Sequence, residues 1–247
     1  MLLRRVAKRI RDQNWLALGL DLLVVVLGIL LAFEADRLHE WQQDKRLEQR
    51  YLERLQADLT ADTAEFAVEL SRLEIRLAQT QLLEDALRDP EGVAGHPSDF
   101  IRALEQVTWR SFPTVTPYTY DELLTSGRMT LLTSEHLRRT LAEYYTSVED
   151  ERRLGFGEND QERFRNETLG LLSAAHLSAI EDPSKYELDV SEREAVAIAG
   201  QFASRSAAHA WLARLTKYQV LMRVLTEQYM TRAHTLISEI DGELPGD

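Results

Sequence analysis

The chain contains no cysteine, and its 247 residues include only 11 glycines and 6 prolines. Without cysteine there is no disulfide, no thiolate metal site and no cysteine nucleophile. An oxidising compartment fits that absence without being required by it. Scarce glycine and proline argue against a loop-rich β architecture. The abundant residues, Leu, Ala, Glu and Arg, favour long helices instead.

Catalytic signatures are missing too. The six histidines (His39, His96, His136, His176, His209 and His234) show no HExxH pattern, and no two lie three or four apart. GFGEND (Gly155–Asp160) lacks the third glycine and the preceding strand of a dinucleotide loop, and no G-x-S-x-G occurs. No catalytic, cofactor-binding or metal-ligating residue is therefore assigned, and a non-enzymatic protein is expected. A basic body is also missing. Residues 1–14 carry Arg4, Arg5, Lys8, Arg9 and Arg11 against Asp12 alone, while the whole chain has a net charge of −12. So acidic a body gives no electrostatic support for binding nucleic acid.

What is present, just after the basic tip, is an apolar run. LALGLDLLVVVLGILLAFEAD (Leu16–Asp36) follows Trp15, and 13 of the 19 residues from Trp15 to Phe33 are Leu, Val, Ile or Phe. At about −0.3 to −0.6 kcal/mol each on an insertion scale, they outweigh the roughly +2.5 to +3.5 kcal/mol of the single acid, Asp21. The expectation is a transmembrane helix. Cleavage after Ala32 or Ala35 would put Leu30 or Phe33 where a small residue is wanted, so the segment reads as a retained signal-anchor. Basic residues before it and Glu34, Asp36 and Glu40 after it orient the N-terminus to the cytoplasm. Residues beyond 36 then lie in the periplasm, as a single-pass protein of a bacterial inner membrane. Asp21, an ionisable group inside the span, is the candidate intramembrane functional residue.

Beyond the run, Leu52, Leu55, Leu59, Phe66, Leu70, Leu73 and Leu77 step by threes, fours and a seven, which marks an amphipathic helix with a phase slip near Leu59–Thr63. Asp89–Asp99 is a loop rich in breakers, followed by a short helix at about Asp99–Thr108 and an extended segment, Trp109–Thr119. Thr119-x-x-Glu122 has capping-box spacing and starts a helical turn that Gly127 ends; Ser134 caps a long helix, and Ser191-x-x-Glu194 is a second capping box. In the last helix Trp211, Leu215, Tyr218, Met222, Leu225 and Tyr229 alternate four- and three-residue steps, continued by Leu236 and Ile240, which is heptad packing.

The fold class is accordingly all-α: an N-terminal transmembrane helix running into a long stalk helix, with an antiparallel helical bundle outside the membrane. The divisions are 1–14, a basic cytoplasmic tail; 15–33, the span; 34–88, the stalk; 89–133, loops and short helices; and 134–247, the bundle, with long helices at about 134–178 and 206–241.

Three pieces carry a resemblance: QNWLALGLDLLVVVLGILLAFEAD (Gln13–Asp36), YLERLQADL (Tyr51–Leu59) and YTYDELLTSGRMTLL (Tyr118–Leu132). They resemble a group of bacterial membrane proteins of unknown function with one N-terminal span and an exported helical region. The resemblance implies topology and no site residue. The third piece also forms a candidate elbow pocket, with Tyr118, Tyr120 and Met129 around a capped turn and Arg128 as its polar contact. The expected role is a scaffold or interaction partner for an envelope complex, bound to the lipid bilayer and to a protein partner or to copies of itself. The alternatives are an ion-coupled accessory subunit using Asp21, or a bundle that senses a small ligand.

Overall fold

The computed structural model describes residues 15–110, 112–153 and 158–244, and all regular structure among them is helical. Eight α-helices follow one another: α1 Trp15–Arg88, α2 Pro97–Gln106, α3 Tyr118–Thr125, α4 Glu135–Arg153, α5 Glu158–Thr168, α6 Ala174–Glu181, α7 Glu192–Ala203 and α8 Ser206–Glu243. The chain divides into two units, residues 1–51 and 52–247.

The second unit is built on α8. Phe66 and Tyr229 meet with ring centroids 6.2 Å apart, Gln56 bonds Asp241 at 2.5 Å, and Thr80 bonds Gln219 at 2.8 Å. As one number rises the other falls, so α1 beyond residue 52 runs antiparallel to α8. A second side of α8 carries α4 and then α5, and α4 also meets α1, where Tyr144 bonds Asp62. His136 lies 3.2 Å from Glu239, Tyr229 donates to the Ser147 carbonyl at 3.4 Å, and Asp160 pairs with Arg214 at 2.9 Å. These pairs follow one antiparallel register. Helices α2, α6 and α7 close one end, with α7 packed on the 3-10 turn Pro90–Gly95, whose Val93 is buried. There Phe202 is flanked edge-on by Phe100 and Phe164, with centroids at 6.4 and 6.1 Å.

The heptad face of α8 is the face it buries: Leu215, Tyr218, Met222, Tyr229, Leu236 and Ile240 are all in the core, with Trp211 and Leu225 packed against it. On α1 the seam is more regular than its apolar residues suggest. Buried positions run Leu52, Leu55, Leu59, Asp62, Phe66, Glu69, Leu73, Thr80 and Leu83. The steps of three and four never break if the half-buried Arg76 is included. The phase slip expected at Leu59–Thr63 is absent because Asp62 fills the seam there. Glu69 and Arg76 occupy the next places, where Leu70 and Leu77 were expected, and those leucines are only partly buried.

Other expectations need correction. The long helix at 134–178 is broken: α5 ends at Thr168, Gly170 adopts φ +79°, and α6 begins afresh from Ser173, whose hydroxyl caps His176. That φ favours glycine, so a helix cannot run through it unbroken. Gly155 and Gly157 lie outside the described residues.

The transmembrane reading is overturned as well. Among the described residues no helix is long and apolar enough to cross a membrane. The uninterrupted apolar part is Leu22–Phe33, twelve residues closed by Glu34, Asp36 and Arg37. At 1.5 Å per residue it reaches about 18 Å, against a hydrocarbon thickness of about 30 Å. The single-pass inner-membrane placement, the signal-anchor and the cytoplasmic and periplasmic assignments all go with it. The side chain of Asp21 lies outside the described residues, as does the whole of the basic tail.

Candidate functional site

The elbow expected at YTYDELLTSGRMTLL is assembled by two acids one helical turn apart on α1. Asp62 Oδ1 accepts the Thr116 backbone N–H at 2.6 Å, and its Oδ2 accepts the Tyr144 hydroxyl at 2.9 Å. Asp58 Oδ2 accepts the Thr119 N–H at 3.0 Å. Together they pin the extended segment before α3. Arg54 adds an ion pair to Glu122 at 2.6 Å on the more exposed side.

These bonds explain why the capping box at Thr119 does not form. The Thr119 N–H is satisfied by a distant carboxylate rather than by Glu122, and α3 starts at Tyr118 with Pro117 as its cap residue and no side-chain cap. The far end behaves as expected. Gly127 has φ +69°, and its N–H closes the helix on the Leu124 carbonyl. A Cβ there would meet nothing within 4 Å, so only backbone strain opposes a side chain. Gly127→Ala should therefore lower stability by about 1–2 kcal/mol, and a chemical denaturation midpoint measures it.

Behind the elbow three tyrosines interlock. Tyr120 stacks on Tyr145 with centroids 4.8 Å apart, and Tyr144 meets Tyr145 edge-on at 4.9 Å. A cavity of about 360 Å³ opens beside them, lined by Val115, Pro117, Tyr120, Asp121, Tyr145 and Glu149, among others. Of the four residues expected in a pocket, Tyr120 alone lines it. Tyr118 is 76% exposed, and Arg128 and Met129 sit outside the lining. The polar contact expected from Arg128 is replaced by the carboxylates of Asp121 and Glu149.

Burial raises the pKa values of the acid and the tyrosines of this site. Burial raises the Asp62 pKa above the ordinary carboxylate value, partly offset by the bonds from Thr116 and Tyr144. Burial, and then the charge of Asp62, push Tyr144 and Tyr145 far up. Tyr120 rises through burial and the nearby Asp121. All three tyrosines remain hydrogen-bond donors across the working pH range. The arrangement holds a loop in place.

Sequence reading missed Asp58, Asp62, Tyr144 and Tyr145 as parts of this site, although Tyr144 and Tyr145 were placed on a helix face. The signal for Asp62 was present: a carboxylate three residues past Leu59 and four before Phe66 sits on the apolar stripe.

The first unit carries a different feature. Leu22, Leu23, Val24, Val25, Val26, Leu27, Ile29, Leu30, Leu31 and Phe33 are 44–70% exposed, and they cover every face of that part of α1.

No family model, curated protein or solved structure matches this chain. The geometry alone therefore carries any functional reading.

Proposed function

We propose that the protein is a non-catalytic scaffold that assembles with copies of itself through Leu22–Phe33 and presents its helical body to other components. The observation behind this reading is the ten large apolar side chains exposed around one helix. Fully covering a Leu, Val, Ile or Phe side chain is worth about 1.5–3 kcal/mol, so leaving all ten in water is strongly unfavourable. A helix apolar on all sides needs neighbours on all sides. A single groove on a partner would leave half of it wet, whereas several copies of the same helix cover one another. Gly28 assists, since nothing lies within 4 Å of where its side chain would be and a second backbone can come close.

Sedimentation of the full chain tests the proposal. An oligomer is expected at micromolar concentration. Leu27→Glu with Leu30→Glu should convert it to a monomer and leave the unfolding midpoint of the helical body unchanged. A monomeric wild-type chain, or one taken up by lipid vesicles without self-association, would overturn the choice of occupant.

A further inference from the structure

Seven and fourteen residues beyond Asp62, the α1 seam places Glu69 and Arg76 beneath a cleft of about 1040 Å³. Its base is built from ordered polar groups. Glu69 is 1% exposed and holds Arg76 at 3.3 Å and Arg72 at 3.6 Å. Thr108, also buried, accepts from Arg165 at 3.0 Å. Trp109, half-buried, forms a wall and gives the cleft a flat apolar surface. Gln161 is 5% exposed and lines the cleft, yet among the described residues its amide has no hydrogen-bond partner.

The charges are as informative as the shape. Arg72, Arg76, Arg110 and Arg165 share the lining with Glu105, Glu162 and Glu181. In a merely solvated ion cluster these opposite charges would pair. Instead, the three carboxylates enter no ion pair or side-chain hydrogen bond among the described residues. Among the described residues Arg165 is held by a neutral hydroxyl alone, which orients its guanidinium without neutralising it. The cleft thus displays an oriented cation and separate anions, beside an aromatic wall and a buried amide able both to donate and to accept.

We infer that this cleft binds a zwitterion of the amino-acid or short-peptide class. The ligand carboxylate meets Arg165 and Arg72, its ammonium group meets Glu105, Glu162 and Glu181, and an apolar or aromatic side group lies on Trp109. The Gln161 amide pairs with a peptide or carboxylate group of the same molecule. A simple anion would be repelled by three carboxylates, and a simple cation by the Arg165 guanidinium, which no carboxylate among the described residues neutralises. This site is independent of self-assembly through Leu22–Phe33, because every residue that lines it belongs to the second unit.

Calorimetric titration of the full chain with three probes decides the matter: the dipeptide Gly-Phe, its N-acetyl derivative and its C-terminal amide. Gly-Phe should bind at up to millimolar concentration, and each blocked form should bind at least about tenfold more weakly, the loss expected for one charge-assisted contact. Arg165→Gln should weaken Gly-Phe by a similar factor with an unchanged unfolding midpoint, while Tyr118→Ala, far from the lining, should change neither. Absence of binding by all three probes would overturn the inference. So would N-acetyl-Gly-Phe binding as tightly as Gly-Phe, which would mark a plain anion site.

Discussion

Phe202→Ala is expected to destabilise the helical body by about 3–5 kcal/mol, the range for deleting a buried aromatic ring. Phe202 is fully buried, and its ring lies edge-on to Phe100 of α2 and Phe164 of α5. One side chain on α7 therefore joins three helices, and both aromatic contacts disappear with it. Phe202 belongs to a closely buried cluster that also holds Ala195, Ala199 and Leu212, so its removal leaves a cavity inside the core. At roughly 2–4 °C per kcal/mol for a body of this size, the thermal midpoint should fall by about 6–20 °C. Calorimetry or helical circular dichroism reads it directly. Val220→Ala, on the exposed side of α8, serves as a control and should stay within about 0.5 kcal/mol. If the two variants unfolded together, the three-ring cluster would not be holding that end of the bundle.

Asp62 should give the second large effect, with a distinctive pH signature. Asp62→Ala removes the acceptor of two buried donors, the Thr116 N–H and the Tyr144 hydroxyl, at about 1–3 kcal/mol for each one left unsatisfied. Asp62→Asn should cost far less. Its amide oxygen still accepts from Thr116, and its NH2 can donate to the tyrosine oxygen.

The pH dependence follows from the direction of the Asp62 shift. Its pKa is raised in the folded state above the ordinary 3.8. In the window between those values the folded chain binds more protons than the unfolded one. The stabilisation from this group is therefore complete below the ordinary value and is lost as pH rises through the raised one. The difference in stability between wild type and Asp62→Asn, followed by denaturation from acid to neutral pH, should shift towards the variant as pH increases. A flat difference would show that Asp62 titrates normally despite its burial.

These two sites also show what the sequence made readable. The α8 face was plain because large apolar residues recur along it at heptad spacing, from Leu215 to Ile240, even though Gln219, Thr226 and Ala233 are buried there too. The α1 seam was harder to read. Asp62, Glu69 and Arg76 occupy seam positions, so a search for apolar residues finds an interruption where the helix geometry has none. Thr119 was misread for a related reason: the spacing to Glu122 permits a local cap, but a bond to Asp58, 61 residues away, takes the same N–H. The break after Thr168 rests on a single left-handed glycine, Gly170, within a run that otherwise suits a helix. The Arg–Glu–Trp cleft draws on five separate elements with no shared motif, which no linear spacing reveals. Leu22–Phe33 was legible as apolar, but its length among the described residues falls short of the expected span.

The antiparallel pairing of α1 with α8 has a consequence for biosynthesis. Gln56 and Asp241 are 185 positions apart, and Thr80 and Gln219 are 139 apart. Closing contacts of such separation is slow, because a long loop must be ordered before they form. A ribosome adding roughly 5–20 residues per second releases the α1 seam many seconds before α8 exists to cover it. During that interval Leu55, Leu59, Phe66 and Leu73 face solvent in the nascent chain. The growing polypeptide thus keeps an uncovered apolar seam until its last helix emerges, and a premature stop early in α8 leaves that seam exposed for good.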